Sequence, residues 1–338
     1  MPRLNSVEEY ERAARQKLSN RLVNYIFRGA ESESTLKRNL EAFSKYALRR
    51  RVLQEITRVD TTSSYFGGKI KSSLPFFPSC INVSPMYSRA LPDLLRVSET
   101  FETPIFVSHV AIEPGYNVSE IPKLVPKTSL VWQIYFRDGN NEECIKQASL
   151  AKSWGYKGIA VTVDAELNVK LGYGIQNDLS STNFSIVTEV LIRRLRSATS
   201  LPLALKGIMT PEDAERSVEL GADGIVVSNH GGRILDEGEA SLDALPEIVR
   251  HLKSKKKSRN TEIFFDGGIR RGTDILKALA LGAKGCLIGR PMFWGLAVNR
   301  KTGPADVMNI LRDELVRAAA LCGVKRTASI DANVVKRV

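Results

Sequence analysis

Eight short runs of apolar and β-branched residues recur along the chain, at 76–83, 104–108, 130–136, 158–164, 202–206, 224–229, 262–268 and 285–289. Each is nearly continuous in hydrophobicity rather than alternating with polar residues, as strands buried on both faces read. Between them lie amphipathic stretches such as EECIKQASLAKSWG, PEDAERSVELGA and TDILKALALGA. Strand–helix alternation implies a parallel sheet, because parallel neighbours need a long crossover. Eight such units in about 250 residues favour a closed (β/α)8 barrel over an open doubly wound sheet. The open sheet is the alternative, since counting strands does not close one.

Local signals punctuate these units. Thr210 before Pro211, with Glu212 and Asp213 in the first turn, is a helix start with a capping hydroxyl and a favourable dipole. Gly221 and Gly282 follow helical stretches where a left-handed cap suits glycine. The first 65 or so residues read differently. Ser6 and Glu9 form a capping box opening a helix at VEEYERAARQKL. Further helices are expected near 21–28 and 34–45. The domain expectation is therefore a helical segment at 1–65 and a barrel at 66–338.

Composition narrows the class. The chain has 338 residues, 43% of them hydrophobic and 25% charged, which suits one large domain with a real core. The uncharged stretch at 72–88 is broken by Pro75, Pro78 and Pro85 and is too short to span a bilayer. The N-terminus has no apolar signal core and the chain ends KRV, so a cytoplasmic location is expected. Four cysteines, Cys80, Cys144, Cys286 and Cys322, form no C-x-x-C pair, so no metal site is expected. The net charge of +12 concentrates at Arg49-Arg50-Arg51 and 253–259 without interleaved aromatics. These read as solvated loops, not as a nucleic-acid or membrane surface.

In a parallel barrel, chemistry sits at the C-terminal ends of strands. Those ends carry Gln133 and Tyr135, Thr162 and Asp164, Lys206, Ser228 with His230 and Arg233, Asp266-Gly267-Gly268 with Arg270, and Gly289-Arg290. The last two groups read as a phosphate site, because glycines let backbone N–H groups approach an anion and arginines add charge. His230, in SNHGGR, suits proton transfer near neutral pH. Arg233 suits a carboxylate or a developing oxyanion.

SNHGGR, followed by DGGIRRGTD and LIGRP, resembles the FMN-dependent 2-hydroxy acid oxidases and dehydrogenases, a family that includes glycolate oxidase, lactate oxidase and the flavocytochrome lactate dehydrogenase. The resemblance runs from about Val7 to Ser329 and implies an FMN cofactor, a small-molecule substrate and a homo-oligomer. It implies that His230 is the active-site base, that Asp164 stabilises its protonated form, and that Lys206 lies beside the flavin N1 and C2 carbonyl. By the same resemblance Gln133, Thr162 and Ser228 contact the flavin. Asp266, Gly267, Gly268, Arg270, Gly289 and Arg290 hold the ribityl chain and phosphate. Tyr25, Tyr135 and Arg233 reach the substrate.

Three departures stand out. Leu171 occupies the position, seven residues after Asp164, where the family carries a second substrate-binding arginine. The connection between the fourth and fifth strands is short, where the family has a lid. The first-strand segment reads PSCINVSPMYSRALPD, and His109 stands where serine is common. The expectation is oxidation of an atypical or bulky 2-hydroxy acid in specialised metabolism, with the electron acceptor open between oxygen and another carrier. The alternatives are oxidative decarboxylation or oxidation of a non-standard substrate, and a flavin-binding relative without catalysis.

Overall fold

The computed structural model describes residues 4–87, 89–112, 117–136, 139–165, 187–255 and 260–338. Ser6 caps the first helix, its hydroxyl accepting from the Glu9 N–H, but the Glu9 carboxylate accepts from the Asn5 N–H instead of that of Ser6, so only half of the expected capping box forms. Three helices open the chain: α1 (Val7–Lys17), α2 (Asn20–Phe27) and α3 (Ser34–Glu41). The third expected helix is α-helical only to Glu41 and tightens into a 3-10 turn at Ala42–Lys45. Three short strands follow, β1 (Tyr46–Leu48), β2 (Ser63–Tyr65) and β3 (Ile70–Ser72). The β2–β3 hairpin spans the expected boundary between residues 65 and 66.

All eight expected strands form, as β4 (Phe76–Pro78), β5 (Ile105–Ser108), β6 (Leu130–Ile134), β7 (Gly158–Thr162), β8 (Leu203–Ile208), β9 (Gly224–Val227), β10 (Glu262–Asp266) and β11 (Gly285–Ile288). They pair in parallel in the order β4-β11-β10-β9-β8-β7-β6-β5. The two ends of that order, β4 and β5, lie side by side, so the sheet curls into a nearly closed (β/α)8 barrel. A final strand, β12 (Val335–Arg337), pairs antiparallel with β1 and ties the C-terminus to the N-terminal segment.

Each barrel strand sends one residue to a shared interior layer: Phe77, Phe106, Val131, Ala160, Ala204, Val226, Phe264 and Leu287. Large and small side chains are mixed there, which lets a barrel interior fill without a pore. Tyr65, Phe66 and Ile70 of the β2–β3 hairpin close this layer at one end. Around the strands run α4 (Ala90–Thr100), α5 (Ile121–Leu124), α6 (Asn141–Trp154), α7 (Glu189–Ala198), α8 (Pro211–Glu219), α9 (Ser241–Ser254), α10 (Gly272–Ala280), α11 (Arg290–Val298) and α12 (Gly303–Leu321). Thr210 caps α8 through the Asp213 N–H. Helices α1 and α2 pack on α11, which places the N-terminal segment beside the C-terminal ends of β10 and β11.

One irregularity shapes the rim. The β8–β9 register shifts between Lys206 and Ile208, around Gly207 at φ +111°. A Cβ at Gly207 would lie 2.5 Å from the Asp164 Cβ. Only glycine lets these two strand ends approach so closely.

Candidate active site

The loop leaving β9 turns sharply. His230, Gly231 and Gly232 are successive left-handed residues, with φ of 55°, 68° and 73°. For the two glycines this is easy; for His230 it is a conformation that side-chain-bearing residues adopt rarely. The turn brings the His230 Nδ1 to 3.1 Å from the Asp164 Oδ1. Asp164 is mostly buried, which favours its neutral form, but His230 and Lys206 outweigh this and lower its pKa. An ionised carboxylate can only accept, so Nδ1 carries the hydrogen and Nε2 is the nitrogen able to take up a proton. The second Asp164 oxygen, Oδ2, is buried without a hydrogen-bond partner.

Lys206 points inward from β8 and is 2% exposed. Its Nζ donates to the Ser228 Oγ at 2.9 Å and lies 3.4 Å from the Asp266 Oδ2. Burial alone would depress the ammonium, yet the carboxylates of Asp164 and Asp266 together hold its pKa above the usual lysine value. Ser228 completes the chain by donating to Asp266 at 3.0 Å. Across the rim, Gln133 donates to the Thr162 hydroxyl, while the Gln133 Oε1 is buried and unpaired. Such an orphaned acceptor costs stability unless a ligand supplies its donor.

Three guanidinium groups meet nearby. Arg290 donates to the carbonyls of Ile26, Gly231 and Arg28. Arg233 donates to the Ile26 carbonyl at 2.8 Å. Arg270 donates to the Ile269 carbonyl and lies 4.7 Å from the centre of the Trp294 ring. Burial and the like charges of Arg233 and Arg270 push the Arg290 pKa well down, against partial relief from Asp266 and Glu11. Crowded, desolvated cations of this kind are what an anion would relieve. Beside them Gly268, at φ +80°, leaves no room for a Cβ, which would sit 2.1 Å from the Asn39 carbonyl oxygen. Gly267 adjoins it, and Gly289 ends β11 directly before Arg290.

The predicted tyrosines line the same side. The Tyr25 hydroxyl donates to the Asn82 carbonyl at 2.9 Å, and Arg233 lies 5.7 Å from its ring centre. Burial raises the pKa of both Tyr25 and Tyr135. His109 accepts a 3.0 Å hydrogen bond from the Tyr135 backbone N–H and packs edge-on against the Tyr135 ring. Leu171 lies outside the described residues, as does most of the short connection that carries it.

Sequence reasoning missed several groups. Cys80, just beyond β4, lies within electrostatic reach of Lys206, Asp266 and Tyr135. Its place in the PSCINV segment at a strand end was the available signal. Asn39 and Asp236 carried none, because their partners are distant in sequence; Asn229 lies inside SNHGGR, but its pairing with Asn39 spans about 190 residues. Asp236 fastens the start of α3 through the hydroxyls and backbone of Ser32 and Ser34.

Comparison with known proteins now decides the family. The model for FMN-dependent dehydrogenases matches residues 14–187 and 175–337. The chain belongs to that family. It is 33% identical to mouse 2-hydroxyacid oxidase 1, covering all of this chain and 98% of that protein. It is 35% identical to an L-lactate oxidase of Nostoc sp., over 96% of this chain and 95% of the relative. Among solved structures, flavocytochrome b2 with sulfite bound superposes with a TM-score of 0.89 at 28% identity, covering 98% of this chain and 86% of the other. A mandelate oxidase variant with 2-hydroxy-phenylacetamide gives 0.86 at 28% identity, covering 98% of both.

As an FMN-dependent dehydrogenase relative, the chain is an oxidoreductase with FMN as its cofactor. The site's chemistry fits that group: crowded arginines suit a phosphate monoester, and the orphaned Gln133 Oε1 suits a ring N–H. Among the described residues, no helix is long and apolar enough to cross a membrane, and no cluster of His, Cys, Asp or Glu could hold a metal ion.

Proposed function

We propose that this member of the FMN-dependent dehydrogenase family oxidises a bulky or otherwise atypical 2-hydroxy acid to the 2-oxo acid, with His230 as the base. FMN supplies the two-electron acceptor. His230 takes a proton from the substrate at Nε2, and Asp164 stabilises the resulting imidazolium through Nδ1. Arg233 engages the substrate carboxylate, with Tyr25 and Tyr135 orienting the hydroxyl end. Lys206 would lie beside the bound flavin, where a cation favours added negative charge. Gln133, Thr162 and Ser228 would hold the ring. Asp266, Gly267, Gly268, Arg270, Gly289 and Arg290 would hold the ribityl phosphate.

The observation that carries this reading is the 3.1 Å contact of His230 with Asp164, beside a buried Lys206. Leu171 supports the departure in substrate, because an aliphatic side chain cannot pair with a carboxylate. The test is anaerobic bleaching of the flavin band by glycolate, lactate, mandelate and longer aryl- or alkyl-substituted 2-hydroxy acids. Faster reduction by the larger acids, abolished in His230→Ala, is the expected result. Preference for glycolate would reject the bulky substrate, and an active His230→Ala would reject the base. Reoxidation by air then reads out whether oxygen serves as acceptor.

A further inference from the structure

We propose that Asn39, in the N-terminal helical segment, is a positioning residue that holds His230 in register with Asp164; its bearing on catalysis rests on the reading of His230 as the base. Asn39 projects from α3 and is 1% exposed. It forms a reciprocal amide pair with Asn229, the residue immediately before His230. Asn39 Nδ2 donates to Asn229 Oδ1 at 2.8 Å, and Asn229 Nδ2 donates to Asn39 Oδ1 at 2.9 Å. The Asn229 amide and the Asn39 Oδ1 make further hydrogen bonds. Asn229 Oδ1 accepts from the Gly232 N–H at 3.1 Å, and its Nδ2 donates to the Glu239 carbonyl at 2.9 Å. Asn39 Oδ1 accepts from the Ser241 N–H at 3.1 Å, and the Ser241 Oγ accepts from the Asn229 N–H at 3.1 Å.

The Asn229 side chain therefore closes a turn over His230 and Gly231, the first two of the three left-handed residues. A histidine at φ 55° persists only where its surroundings over-determine it. Asn39 supplies both a donor and an acceptor to that turn from a helix about 190 residues away in sequence. Its backbone also abuts Gly268, so one residue of the N-terminal segment braces the histidine loop and the glycine loop together. Elsewhere on α3, Thr35 grips Leu235 and Gly238 instead, and so serves as a control on the same helix.

Imidazole ¹H–¹⁵N spectra of the FMN-loaded protein test this directly, because the chain has three histidines and His230→Ala assigns the signal. In Asn39→Ala and Asn39→Asp the His230 resonances lose the Nδ1-protonated pattern, while in Thr35→Ala they keep it. Flavin bleaching by the best substrate of the wild type slows about 10- to 100-fold in the Asn39 variants, with KM nearly unchanged and FMN content full. Should Asn39→Ala not fold, Asn39→Gln retains both amide groups one methylene further out and shows the same displaced signal. An unmoved His230 signal in the Asn39 variants overturns the proposal. A displaced signal with undiminished bleaching, alongside an active His230→Ala, leaves the positioning intact and overturns the base assignment instead.

Discussion

The Nδ1 of His230 stands 3.1 Å from the Oδ1 of Asp164, joining the ends of β9 and β7 across β8. On the proposed reading, Asp164 fixes the tautomer and supplies the negative charge that an imidazolium needs. A hydrogen bond to a charged group contributes about 1.5–3 kcal/mol. Asp164→Asn is therefore expected to lower the rate of flavin reduction about 10- to 100-fold. Rapid-mixing kinetics on the FMN-loaded variant measure this, and a wild-type rate would remove Asp164 from the mechanism.

The same carboxylate makes stability depend on pH. Burial raises the Asp164 pKa, but His230 and Lys206 lower it by more, to below the ordinary value of 3.8. A depressed folded-state pKa contributes stability that is present above the unfolded value, near 4, and is lost as pH falls through the folded value. Thermal melts from pH 6 down to pH 3 should show the wild type losing its advantage over Asp164→Asn across the acidic end. Parallel curves would mean that the pair adds nothing to folding.

Lys206 is the buried cation between Asp164 and Asp266. Lys206→Met keeps most of the volume but leaves two acids without their shared partner. Breaking a buried pair in this way costs about 3–5 kcal/mol. The expected outcome is a lower Tm, weaker FMN retention and flavin reduction slowed by orders of magnitude. A variant as stable as the wild type would show that those acids need no shared cation, being solvated or protonated without it.

The arginine cluster predicts selectivity for the phosphate of the cofactor. Arg290 is buried against the like charges of Arg270, its partner at the phosphate, and of Arg233, which faces the substrate in the proposed reading. Adding FMN to stripped protein should raise Tm strongly, since a ligand at 100 times its Kd stabilises by about 2.7 kcal/mol. Riboflavin, which lacks the phosphate, should raise it far less. Equal shifts from both would place the binding energy in the ring instead.

Cys80 is half-buried just beyond β4, and burial raises its thiol pKa above the usual cysteine value despite nearby Lys206. The thiolate is the reactive form, so little is available at neutral pH. Iodoacetamide should modify Cys80 more slowly than a free cysteine at pH 7, with the rate still climbing at pH values where a free cysteine has levelled off. Peptide mass spectrometry reads this out, and rapid labelling at pH 7 would show an activated thiol instead.

Much of this molecule was legible in one dimension. The eight apolar runs became β4 through β11, and the polar residues at their ends lie on one rim, because strand burial and the strand-end rule depend on local pattern and chain direction. The runs were read too long at their C-terminal ends: β4 stops at Pro78 and β10 at Asp266. There the backbone leaves the ladder to present side chains, and apolar composition does not mark that exit. His230, Asp164 and Lys206 could be named from the sequence as chemically apt residues at strand ends.

Residue type and spacing did not contain who meets whom; only the family resemblance paired Asp164 with His230. The meeting of Asp164 with His230 depends on barrel closure and on the register shift at Gly207. The gathering of Arg233, Arg270 and Arg290 comes from three separate βα loops converging. Asn39 reaches Asn229 only because α3 folds back over the rim, and Cys80 gains its charged neighbours only when β4 lies beside β11. Residue type and period are properties of neighbours along the chain. Distances across a barrel are set by strand order, stagger and packing, which arise only when all eight strands associate.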